Sequence, residues 1–160
     1  MTLHRWAAVL PPDELGVVVH GPVLLGRSPG IAAGLRCVFA HPGGLRLPFV
    51  LRASGVQAEA AGRRTFSRPR DEAGVDGPWS GVTLHVEVDG VTGIADAAHQ
   101  ESSGSADVFA LESTYWIDRL PGDGRLRLTV AWPQAGLAET TTELELDDLG
   151  GLDGRVVPLP

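Results

Sequence analysis

Lysine and asparagine are both missing from this chain of 160 residues, so all 13 basic side chains are arginine. The absence of lysine excludes Schiff-base and phosphate-loop chemistry, and the absence of asparagine excludes a papain-like triad. Cysteine occurs once, at Cys37, so no internal disulfide can form and a reducing compartment is expected. Long apolar runs are missing too. The N-terminal stretch from Trp6 to Leu10 is stopped by Pro11-Pro12-Asp13-Glu14, far short of a membrane span. A soluble, cytoplasmic protein with no membrane partner is therefore expected. Acidic residues number 20, which leaves a net charge of −7. That balance disfavours nucleic acid as a partner, because phosphate neutralisation dominates such affinity. Repeats, heptads and strong helical periodicity are absent.

What the chain does have is apolar alternation of period two. Val82 to Asp89, Arg125 to Val130, Leu45 to Arg52 and Thr142 to Asp147 each alternate apolar with polar residues. Successive strand side chains point to opposite faces, so each run predicts a strand with one buried and one wet face. Leu35 to Ala40 and Leu45 to Ala53 flank His41-Pro42-Gly43-Gly44, which predicts a hairpin, with Leu35, Cys37 and Phe39 sharing a face. Cys37 then reads as a small buried apolar group. Pro48 in the second arm predicts an edge or a bulge. Val108 to Ile117 is another strand, with Phe109, Leu111, Tyr115 and Ile117 inward. Residues 54–80 read as a long loop region, with an edge strand near Val56, and 97–107 as a flexible loop. The expectation is one domain over residues 1–160: an antiparallel β-sandwich of about eight strands, immunoglobulin-like or jelly-roll-like.

Leu24-Leu25-Gly26-Arg27, the Pro-Gly hairpin turn, Tyr115-Trp116, Leu120-Pro121 and the Trp132-Pro133 to Gly136 close occur in this order. The order resembles a group of uncharacterised β-sandwich proteins of GC-rich bacteria. Gly122-Asp123-Gly124 stands where that group has a proline run. The resemblance covers about residues 20–146 and implies a sandwich fold; it carries no known activity and no catalytic residues.

Chemistry-bearing motifs are scarce. The histidines His4, His20, His41, His85 and His99 lie at no zinc-type spacing. No Gly-x-Ser-x-Gly elbow and no Gly-x-Gly-x-x-Gly loop occurs, and Ser103-Gly104-Ser105 falls in a polar stretch unsuited to holding a nucleophile. Asp147, Asp148 and Asp153 lack the alternating ligands of a calcium loop and read as a solvated end. No cofactor and no metal are expected. Trp132 shares a face with Leu126, Leu128 and Val130 and reads as core. Trp116 shares a face with Ala110, Glu112 and Thr114 and reads as outward. Arg63, Arg64, Arg68 and Arg70 cluster in an acidic protein and suit a docking loop for an acidic partner.

The function expected is a non-catalytic interaction or assembly module with a protein partner or self-association, using Trp116, Tyr115, Arg63, Arg64, Arg68 and Arg70. The alternative is a carbohydrate- or small-ligand-binding sandwich with Trp116, Tyr115 and Trp79 as contacts. A second alternative is an enzyme in which His85 or His99 meets a carboxylate in a cleft.

Overall fold

The computed structural model describes residues 4–66 and 81–160. In chain order the strands are β1 (His4–Trp6), β2 (Glu14–Leu15), β3 (Val17–His20), β4 (Val23–Ser28), β5 (Ile31–Leu35), β6 (Val38–His41) and β7 (Gly44–Ser54). After helix α1 (Gly55–Phe66) come β8 (Thr83–Val88), β9 (Val91–Ala95), β10 (Ala97–Gly104), β11 (Val108–Ile117), β12 (Arg125–Trp132), β13 (Leu137–Glu145) and β14 (Val157–Pro158). A five-stranded sheet runs β1-β9-β8-β12-β13. A seven-stranded sheet runs β10-β11-β7-β5-β4, with β6 also beside β7 and β3 beyond β6. All pairings are antiparallel except β1 with β9. The fold is all-β and sandwich-like, as the alternation demands.

The inward residues of both sheets make one core. Leu84, Val86, Leu126, Leu128, Val130 and Trp132 come from the five-stranded sheet, and all are buried. Leu47, Phe49, Leu51, Phe109, Leu111 and Tyr115 face them from the other. Phe109 and Trp132 meet edge to face across the interior at 5.9 Å. Each such side chain contributes about 1.5–3 kcal/mol on burial. Trp6 is buried as well, and its indole N–H donates to the Val86 carbonyl at 3.0 Å. That bond satisfies the one polar atom the ring carries inside.

Several expectations change once register is known. The predicted arm from Leu35 to Ala40 is two strands, because the chain breaks at Arg36-Cys37 between β5 and β6. The break shifts the alternation by one residue, so Val38 and Ala40 point inward and Cys37 is only half-buried. Burial still pushes its thiol upward, partly offset by Arg46. Pro48 lies in a central strand, not at an edge. It falls where the neighbour of β7 changes from β6 to β5, and its carbonyl accepts the Arg36 N–H at 3.0 Å. The missing proline N–H therefore interrupts no regular ladder.

Residues 55–66 form a helix rather than a loop or an edge strand. Ala58 and Ala61 are its buried residues, three apart, so the contact stripe is made of methyl groups and gives little hydrophobic periodicity. Val56 is exposed. The first helical residue, Gly55, has φ +62° and donates its N–H to the Asp107 carbonyl at 3.0 Å. α1 closes the end of the sandwich at the C-terminus of β7. Residues 97–104, expected as a loop, are strand β10. An edge strand wet on both faces has no alternation to read, and its pairing with β11 holds it. At the opposite end of β7, the β2–β14 ribbon and the turn at Leu152–Gly154 lie over β6, with Leu152 in the core. Residues 67–80, which include Arg68, Arg70 and Trp79, lie outside the described residues.

Candidate functional site

The outer face of the seven-stranded sheet carries most of the unusual chemistry. Register aligns Arg27, Ala32, Arg52, Ala110 and Ser103 in one row across β4, β5, β7, β11 and β10. The next row is Leu24, Gly34, Val50, Glu112 and Glu101. Ala32 and Gly34 are the outward residues of β5, so that strand is the floor of a trough. Its walls are Leu24 and Arg27 on β4 and Val50 and Arg52 on β7. Two adjoining depressions, of about 500 and 390 Å³, occupy the trough and share Ala32 and Arg52. Arg27 lines the first and Arg36 the second. Gly34 is required for close approach: a Cβ there would lie 2.6 Å from the Val23 carbonyl oxygen.

One carboxylate sits among these cations. Glu112 Oε2 accepts from Arg52 Nη2 at 3.1 Å and from Arg36 Nη2 at 3.4 Å. The Arg52 hydrogen bond, with the charge of Arg36 added, holds the Glu112 carboxyl below its ordinary range. Arg27 makes no ion pair with another described residue. Further along the same face Arg46 stands in register between Phe39 and Trp116, its guanidinium 5.5 Å from the Phe39 ring centroid. The face thus presents Arg27, Arg36, Arg46 and Arg52, while the chain as a whole has net charge −7.

The far end of this face is closed. His41, 1% exposed, has Nδ1 2.8 Å from Glu14 Oε2. A carboxylate only accepts, so Nδ1 donates. Its Nε2 has no hydrogen-bond partner among the described residues. It abuts Gly16, where a Cβ would come within 2.6 Å of it. The Trp116 ring packs edge-on to His41 at 5.6 Å and reaches the Gly43–Gly44 turn. A histidine oriented by a carboxylate is the geometry of a general base. Here the free nitrogen meets backbone, and no hydroxyl or thiol among the described residues hydrogen-bonds to it. The arrangement is a packing contact that seals the sheet.

The sequence-predicted residues therefore scatter. Trp116 lies on the outward side of β11, as alternation requires, but it is only 7% exposed, because His41 and the hairpin turn cover it. The cover over this outward ring is the protein's own chain. Tyr115 points into the core against Phe49, and burial raises its phenol above the ordinary range. Neither aromatic is presented to a partner or a sugar. Arg63 pairs with Glu59 one turn away on α1 at 3.4 Å, and Arg64 follows in the last turn of the helix. Arg68 and Arg70 are not among the described residues. His85 is half-buried on the outer face of the five-stranded sheet, in register with Ile94 and Thr129. His99 is exposed on β10 and meets Glu101 at 3.0 Å. Among the described residues no group of three potential metal ligands converges.

The residues missed from sequence are Arg27, Arg36 and Arg52. Arg36 and Arg52 occupy outward positions of their runs, which alternation reveals; Arg27 follows a register shift in β4, so alternation does not place it. Their convergence depends on β4, β5 and β7 being neighbours, which alternation does not reveal. No family model, curated protein or solved structure matches the chain. No helix among the described residues is long and apolar enough to cross a membrane.

Proposed function

We propose that the protein is a non-catalytic binding module that engages an acidic partner protein through the trough on its seven-stranded sheet. The observation that supports this reading is the gathering of Arg27, Arg36 and Arg52 around Ala32 and Gly34 on one face of an acidic chain. Guanidinium groups fork onto carboxylates, and a cationic patch on an otherwise anionic protein steers partners of opposite charge to that one face. The rigid sheet pre-orders these side chains, which lowers the ordering cost of binding. A cytoplasmic location belongs to the same reading and rests on the lone thiol of Cys37. The arginine face is preferred to the carbohydrate reading because Trp116 and Tyr115, two of its three contacts, are buried.

The test is titration with polyglutamate by isothermal calorimetry. Binding should weaken steeply with salt. It should be lost in Arg27→Ala/Arg52→Ala, with the melting temperature unchanged. Undiminished binding by that variant moves the interaction to another surface, and no binding by wild type rejects the proposal.

A further inference from the structure

We infer that Glu112 occupies, from within the fold, the place that a ligand carboxylate takes between Arg36 and Arg52, and that it competes there with an acidic peptide entering the trough. The inference rests on the binding reading above and names its ligand class and its built-in competitor.

Three observations carry it. Glu112 presents a single oxygen, Oε2, to both guanidinium groups, which leaves each with further donors. Both pairs are exposed, and exposed pairs hold weakly, so exchange for an incoming carboxylate costs little. Arg27, across Ala32 from Arg52, is a second anchoring point with no ion pair of its own among the described residues.

The experiment titrates wild type, Glu112→Gln, Glu101→Gln and Arg27→Ala/Arg52→Ala with the capped heptapeptide Thr-Glu-Thr-Val-Thr-Glu-Thr. Wild type should bind this peptide. Glu112→Gln should tighten it about two- to tenfold. Glu101→Gln makes the same charge change one strand away, on a residue that meets His99 and no arginine among the described residues. It should change affinity less than about twofold. The double arginine variant should lose at least about tenfold. Equal gains from both glutamine variants overturn the inference, since net charge alone then explains them. An unchanged Glu112→Gln beside a weakened arginine variant overturns it too, while leaving the binding face standing. If neither peptide nor polyglutamate binds any variant, the proposed function falls with it.

Discussion

The two outer faces of the sandwich solve the same problem in different ways. On the five-stranded sheet, charges are matched across strands. Arg127 meets Glu143 at 3.3 Å, Arg125 approaches Glu145 at 3.9 Å, and Arg5 pairs with Asp96. Thr129 and Thr141 complete the same side with a hydroxyl–hydroxyl bond at 2.8 Å. That face is balanced, and cross-strand pairs of this kind are what a solvated sheet surface needs. On the seven-stranded sheet the arginines outnumber their partners, Glu112 serves two of them, and β5 contributes almost no side chain. Its far end is packed shut by His41 and Trp116. The difference separates a surface that is complete in itself from one that keeps donors and space in reserve.

Four outcomes test that contrast, beginning with the largest. Trp116→Ala should destabilise by about 3–5 kcal/mol in urea unfolding, because the ring is buried by the protein's own hairpin. A loss below about 1 kcal/mol would mean that Trp116 waits for something outside the chain, and the closed end would join the open one. Gly16→Ala should cost about 1–3 kcal/mol, since its methyl group overlaps His41 Nε2. Combined with His41→Ala the two losses should sum to less than their separate values, because the truncated side chain removes the overlap. Next, Arg127→Ala should cost less than about 1 kcal/mol and leave polyglutamate binding intact, whereas Arg52→Ala should be similarly mild in stability and weaken binding. Equal binding by the two variants would erase the distinction between the faces.

The smallest effect concerns acid. The Glu112 carboxyl is depressed in the folded state, chiefly by the Arg52 hydrogen bond. Its contribution to stability is therefore present above the ordinary carboxylate range of about 4.3 and is lost as pH falls through the depressed folded value. Melting curves from neutral pH downward should show wild type losing slightly more stability than Glu112→Gln below that range. An identical acid slope in both proteins would indicate that the shared contact with Arg36 and Arg52 is not made in solution. The group is exposed, so the difference is expected to be small.

Alternation in the chain by itself determined the fold class and most of the core. Leu84 and Val86, Leu128, Val130 and Trp132, and Leu47, Phe49 and Leu51 are buried as their parity requires, because a strand offers only two faces and water selects between them. It also placed Trp116 on the correct side of β11. It could not say what lies above that side, since the cover is His41, distant in sequence and brought there by the β6–β7 turn. The helix at 55–66 escaped because its contact stripe is Ala58 and Ala61, which bury too little apolar area to show a period. The strand at 97–104 escaped because an edge wet on both faces has no period at all. The trough belongs wholly to tertiary structure. Arg36 and Arg52 are legible as outward residues, Arg27 is not because a register shift in β4 precedes it, and only the pairing of β4 with β5, β5 with β7 and β7 with β11 sets the three around one floor and brings Glu112 between two of them. Parity along a strand is a local property of the backbone; which strands become neighbours is decided by how the sheets pack.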